Sequence, residues 1–246
     1  MSKLYDALCQ SEKTNPPVQH SEVDLPPNDG GRHRMDLRGP HLEETVKLVQ
    51  RVFVFPNSRA PKVVVFSSVD EDNSSSEICS RVGQVLATQV SGSVCLVDAN
   101  LREPSLHRLL EVSKFPGLTD AAVKPGPIKD FAVRIAGGNL WLVPFGSSAA
   151  ETSELFASDR LGSRMLELRK EFDHVLIDAS SVSSSSDAIL LGQMAEGVIL
   201  VIEANSTRRE TARTAKGAFE GAKVRLLGAI LNNRTFPIPE ALYRRL

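Results

Sequence analysis

Six short apolar runs punctuate the chain from Lys62 onward: KVVVFS, SVCLVDA, NLWLVP, HVLIDA, GVILVIE and VRLLGAIL. They are rich in β-branched residues and nearly continuous. A strand wetted on one face alternates apolar and polar residues, and these do not. They read as strands buried on both faces, the pattern of a parallel sheet. Parallel strands need long crossovers, and the intervening segments supply them. Helical spacing marks Ser76–Val90, Ser105–Glu111, Ala157–Phe172, Asp187–Met194 and Thr207–Ala222. The expected fold is α/β: a doubly wound, mostly parallel sheet flanked by helices, with right-handed crossovers.

The 246 residues suffice for one such domain, placed at 41–246. Before it, MSKLYDAL has the pattern of a short amphipathic helix using Leu4, Tyr5 and Leu8. Residues from about 10 to 40 read as a Pro- and Gly-rich linker, so 1–40 forms a separate N-terminal segment. Order resumes with HLEETVKLVQRVF, where Leu42, Val46, Val49 and Phe53 recur at helical spacing. A net charge of -1 gives no field to recruit nucleic acid or anionic lipid. Cys9, Cys79 and Cys95 are odd in number and unpaired in spacing, which suits buried thiols in a reducing compartment. The histidines are scattered without metal-ligand spacing. The basic residues Arg208, Arg209, Arg213 and Lys216 read as a solvated helix face. No run reaches the length of a membrane span and the N-terminus lacks a signal pattern. The expected location is the cytoplasm, with any membrane association made through a partner.

Ligands of open parallel sheets bind beyond the carboxyl ends of the strands. Those ends carry Ser67–Ser76, Asp98, Asp178, and Asn232 with Asn233 and Arg234. A strand, a loop and a helix start, joined by carboxylates at two strand ends, is the layout of a P-loop nucleotide site. There, backbone N–H groups wrap phosphate, a lysine neutralises it, and a hydroxyl and an Asp hold Mg²⁺. The alternative for each Asp is a turn or cap residue, and sequence leaves both open.

Several segments, in order, resemble one family. LVDANLREPSLHRLL, PGLTD, NLWLVPFGSS, SELFASDRL, FDHVLIDAS, SDAILL, AEGVILVIEANSTRRE and LLGAILNN are similar to the bacterial tyrosine kinases (BY-kinases). These are P-loop proteins of capsule and exopolysaccharide assembly, related to the partition ATPases. The resemblance implies that Asp98, Asn100 and Arg102 stand at catalytic positions. It places Ser74, Ser75, Ser76 and Asn232 at nucleotide positions, and Ser76, Asp98 and Asp178 around Mg²⁺.

The departures from that family bear on chemistry. The pattern G-x-x-x-x-G-K-[ST] falls on Val69–Ser76, so Val69 and Ser74 replace glycines and Ser75 replaces the lysine. Asp70, Glu71 and Asp72 add negative charge. A like-charge pair at ~4 Å costs ~1 kcal/mol in water and ~4 near a protein surface. A helix N-terminus returns only ~0.3–1 kcal/mol. The acids, with Asn73 or Ser74 as cap, are instead expected to serve the helix start itself. The second Asp of the family's Asp-x-Asp-x-Arg motif is Asn100, and its Thr-Pro-Pro becomes Ala179-Ser180-Ser181. The ring-forming Glu-x-x-Arg-x-x-Arg aligns with Glu44, Lys47 and Gln50, which lack bidentate arginine chemistry. The tyrosine-rich tail is reduced to Tyr243, read as a packing or docking residue.

The resulting expectation is a non-catalytic, BY-kinase-like scaffolding or regulatory protein with no resident cofactor. Its partners would be a membrane polysaccharide co-polymerase or an active kinase paralogue, with homo-oligomers allowed and no nucleic acid or membrane insertion. An active ATP- and Mg²⁺-dependent tyrosine kinase or ATPase, with Tyr5 or Tyr243 among its acceptors, is the first alternative. A partition-type positioning protein is the second.

Overall fold

Alternate residues of a strand point to opposite faces, and each central strand here satisfies both. In β1 (Val63–Ser68), every residue is buried. Val63 and Val65 enter one core, and Val64 and Phe66 enter the other. β2 (Val94–Ala99) is likewise buried throughout, and β5 (His174–Ala179) is buried after its first residue. These observations come from a computed structural model, which describes residues 40–56, 60–71, 74–135, 137–147 and 159–234. The expected N-terminal helix with Tyr5, the linker to residue 39, Asp72, Asn73 and Tyr243 lie outside the described residues.

The remaining strands are β3 (Val133–Arg134), β4 (Leu140–Val143), β6 (Gly197–Glu203) and β7 (Leu226–Asn232). The sheet has seven strands in the order β3-β4-β2-β5-β1-β6-β7. Every neighbouring pair is parallel except β3–β4. One face is covered by α1 (Pro40–Val49), which runs into a π-helical turn at Gln50–Val54, and by α2 (Ser74–Gln89). There Val49, Phe53, Val82 and Leu86 meet Phe66, Leu96 and Leu176. The Phe53 ring stands edge-on to His174, with centroids 5.9 Å apart.

Two short helices, α3 (Leu106–Leu109) and α4 (Leu118–Val123), lie on the path from β2 to β3. The opposite face carries α5 (Asp159–Glu171), α6 (Asp187–Met194) and α7 (Arg209–Gly221). Leu161, Leu168, Phe172, Leu191 and Phe219 close that core over Val65, Val97 and Ile177. Arg164 ties α5 to α4 and the turn that leaves it: its guanidinium donates to the carbonyls of Ala121, Lys124 and Gly126 at 2.7, 2.8 and 2.8 Å.

The doubly wound, mostly parallel sheet thus stands as read from the sequence. The expectation that every apolar run is buried on both faces fails at β7. Gly228, Ala229 and Leu231 are exposed, because β7 is an edge strand with no neighbour on its outer side among the described residues. The π turn, α4, β3 and a 3-10 turn at Ile128–Phe131 go beyond the sequence reading. α2 starts at Ser74, two positions before the expected Ser76, so the hydroxyl cluster belongs to its first turn.

Candidate functional site

β2 and β5 are hydrogen-bonded neighbours, and their register sets Asp98 directly beside Asp178. Both carboxyls lie at the carboxyl edge of the sheet, and both are fully buried. The first turn of α2 comes down beside them. Ser75 donates its hydroxyl to Asp178 Oδ1 at 3.0 Å, and Ser76 donates to Oδ2 at 2.5 Å. Asp98 is held differently. Its Oδ2 accepts the backbone N–H of Leu106 at 3.1 Å, so it caps the start of α3, and its Oδ1 lies 3.4 Å from the N–H of Asn100.

Burial drives both carboxyls upward, since the charged form loses its water. For Asp178 the adjacent Asp98 adds to the rise, and the two serine hydroxyls oppose it. The values reach about 7 for Asp98 and about 8 for Asp178. Two like charges in contact titrate as a unit, so near neutral pH the pair holds protons. Cys79, one turn along α2 from Ser75, has its thiol pushed well up by burial and by both carboxylates, which makes it inert.

Asn100 acts as a turn organiser. Its Oδ1 accepts the N–H groups of Arg102 and Glu103 and the hydroxyl of Ser180, at 3.2, 3.1 and 3.2 Å. Ser180 in turn accepts the N–H of Leu101, locking the loop after β2 to the loop after β5. An amide oxygen suffices for all of this. Arg102 sends its guanidinium to the Ser184 carbonyl at 3.2 Å. Asn232 stands at the end of β7, where Nδ2 donates to Glu203 Oε2 at 3.1 Å. The structure therefore joins Ser75, Ser76, Asp98, Asn100 and Asp178 in one buried cluster with Ser180. Arg102 lies at its margin, and Asn232 is bonded elsewhere on the same edge of the sheet.

The loop between β1 and α2 is tied down on both sides. Val69 is buried; its N–H donates to the Val201 carbonyl at 3.0 Å, and its own carbonyl accepts from Ser183 at 3.3 Å. Asp70 accepts the Thr207 hydroxyl at 2.6 Å, which commits one carboxylate oxygen to the turn before α7. The expectation that the loop acids serve the start of α2 is thus not met by this contact of Asp70, and Glu71 is exposed.

Sequence reasoning missed Asp120. This buried carboxylate accepts the N–H groups of Gly117 and Ser147, the Ser147 hydroxyl and the Lys124 amine, at 3.1, 3.1, 2.7 and 3.1 Å. Those bonds hold its pKa down against burial. They join the start of α4 to the segment leaving β4. A Gly followed three residues later by Asp is the only local signal of this cap.

Among the described residues, no group of three His, Cys, Asp or Glu side chains is placed to hold a metal ion. Both oxygens of Asp178 already accept hydroxyls, and both of Asp98 face backbone N–H groups. No lysine or arginine lies between Val69 and Ser80 to meet a phosphate.

No family model matches the chain. Curated relatives do. The chain is 29% identical over 176 residues to tyrosine-protein kinase YwqD of Bacillus subtilis, covering 72% of this chain and 74% of that one. It is 26% identical over 171 residues to tyrosine-protein kinase Wzc of Salmonella typhimurium, covering 70% of this chain but 24% of that one. It is 25% identical over 179 residues to the succinoglycan biosynthesis transport protein ExoP of Rhizobium meliloti, covering 70% and 22%.

Among solved structures, the chimerical protein CapA2B2 superposes with a TM-score of 0.74 at 20% identity, covering 82% and 88% of the two chains. The kinase domain of the Escherichia coli tyrosine kinase Etk gives 0.66 at 22% identity, covering 72% and 70%. The MinC:MinD cell division complex of Aquifex aeolicus gives 0.60 at 18% identity, covering 75% and 72%. The likeness to these structures is one of fold: a mostly parallel seven-stranded sheet flanked by helices, with P-loop NTPase-like neighbours. The curated homologues of this chain include bacterial tyrosine-protein kinases, and its structural neighbours include kinase domains of that group.

Proposed function

We propose that this chain is a non-catalytic, BY-kinase-like scaffolding or regulatory protein of exopolysaccharide or capsule assembly and export, acting through protein partners. One observation carries the reading. Where a phosphate-binding lysine would stand, Ser75 is buried and already donates to Asp178. The neighbouring Ser76 and Asp98 are likewise engaged within the protein. The cluster satisfies itself, and the bend before it carries Asp70 and Glu71 with no lysine or arginine between Val69 and Ser80 to meet a triphosphate.

The polysaccharide connection rests on relatives such as ExoP, named for succinoglycan biosynthesis transport. Among the described residues no helix is long and apolar enough to cross a membrane. Action at a membrane would therefore run through a membrane-embedded polysaccharide co-polymerase, or through an active kinase paralogue. Helix α1 is a candidate contact. Its Glu44 and Lys47 pair with each other at 2.7 Å on the exposed face. That weakens a ring held by interprotomer ion pairs.

The test is transfer of radiolabel from ATP to the chain's own tyrosines or to a supplied partner. The reading predicts none above the level of an Asp98→Ala variant. Transfer that Asp98→Ala abolishes would establish the active kinase instead.

A further inference from the structure

Helix α7 is arranged against its own stability on the side that faces solvent. Its inner side is ordinary: Ala215 and Phe219 are buried in the same core as Val198 and Leu200. Outside, Arg209, Arg213 and Lys216 follow at i, i+4 and i+7 and form one exposed stripe, with Arg208 just before it at the N-cap. The macrodipole favours cations at the end of a helix and disfavours them at its start. α5 obeys that rule, with Arg169 and Lys170 in its last turn. α7 inverts it, and no basic residue stands in its last turn.

Little within the chain offsets the inversion. The guanidinium groups of Arg208, Arg209 and Arg213 make no hydrogen bond or ion pair among the described residues. Lys216 pairs with Glu220 at 3.3 Å on the surface, and Glu210 in the first turn pairs with none of the four. The acids of the adjoining turn are committed to neutral groups. Asp70 accepts the Thr207 hydroxyl at 2.6 Å, and Glu203 accepts the Asn232 amide at 3.1 Å.

Gly217 and Gly221 continue the row from Arg213 in steps of four, and both are exposed. Glycine is the poorest helix former after proline. A Cβ at either position would meet nothing within 4 Å, so packing in this chain does not require glycine there. The two leave a bare helix surface beside the arginines, which the backbone of another molecule can approach closely.

We propose that the exposed face of α7 docks an acidic helical segment of a partner protein. Its carboxylates meet Arg209 and Arg213, and its backbone lies along Gly217 and Gly221. A planar guanidinium binds a carboxylate through two N–H groups at once. The stripe from Arg209 to Lys216 spans only ~10 Å, about two helical turns. A nucleic acid carries charge along its whole length, and beyond the stripe it would meet Asp70, bonded to Thr207, and the exposed Glu71. A helix held on a lipid surface inserts an apolar face, and that of α7 is already buried in the core. The surface gives the scaffold reading a partner chemistry without resting on it. An active kinase could use the same helix, so the nucleotide assays and the assay below fail independently.

Fluorescence anisotropy of the full chain at low salt tests this, with a labelled alanine-based helical peptide bearing glutamates at i, i+4 and i+7 as the probe. Saturable binding is expected. The Arg209→Glu, Arg213→Glu double variant is expected to weaken it at least tenfold, and Gly217→Leu at least threefold. Lys170→Glu, a charge reversal on α5, is expected to leave it unchanged. Melting followed by circular dichroism checks that each variant folds. The double variant should melt no lower than the parent, because the reversal suits the helix dipole. Absence of binding, or equal affinity in the double variant or in Gly217→Leu, would overturn the proposal. So would a double variant that melts lower, since the arginines would then serve the fold. Tighter binding of duplex DNA or of phosphatidylserine vesicles, lost in the same double variant, would overturn it in favour of that partner.

Discussion

Asp178 is the residue on which the chemistry of the cluster turns. Its two oxygens accept the Ser75 and Ser76 hydroxyls, and its neighbour is another carboxyl. A carboxyl whose folded pKa lies above its unfolded value binds a proton more tightly in the folded state. The pair therefore contributes stability that is full below about pH 4 and is lost as pH rises through about 7 and about 8. Paired surface carboxylates behave in the opposite sense. Calorimetric melting should show the midpoint falling between about pH 4 and about pH 8 and levelling off above. Asp178→Asn, which cannot ionise, should flatten that slope; an equally steep slope in the variant would place the titration elsewhere. A lysine amine at position 75 would meet the same carboxylate and neutralise it. The Ser74→Gly, Ser75→Lys double variant is accordingly expected to lower the Asp178 pKa and to gain ATP binding, read by fluorescence of a labelled nucleotide. The partners of this carboxylate could not be read from sequence. Asp98 and Asp178 announce themselves by following apolar strands. Ser75 and Ser76 reach Asp178 from more than a hundred positions away, and only the packing of α2 against β5 brings them together.

At the scale of elements, continuity of apolar character predicts the central strands well, because burial on both faces confines polar residues to the ends of β1, β2 and β5. The same rule misreads β7, whose run is as apolar as the others but which lies at the sheet edge. Edge position is a property of strand order, which a single run does not encode. β3 is only two residues long and exists through its pairing with β4, so no local pattern marks it. α4 is six residues long, and its start depends on the Asp120 cap. Removing that carboxylate with Asp120→Ala leaves the Gly117 and Ser147 amides without their acceptor. Unfolding in urea should show a loss of ~1–3 kcal/mol, the cost of stranding buried polar groups. Asp120→Asn, which retains one acceptor oxygen, should lose less. Equal stability of Asp120→Ala and the parent protein would show that solvent replaces the cap freely.

For the whole molecule, the kinase-type sheet and its two helical layers persist while the site at its carboxyl edge is arranged around its own side chains. The kinase domain of the Escherichia coli tyrosine kinase Etk shares this fold, with a TM-score of 0.66. The short bend between β1 and α2 carries acids and hydroxyls and no cation. The scaffold role proposed above needs only the surfaces of the fold and no nucleotide switch. Isothermal titration of the full chain with ATP and Mg²⁺ tests that claim most directly. The account predicts no saturable heat at millimolar ATP, with or without the metal. A saturable isotherm with a micromolar Kd would contradict it.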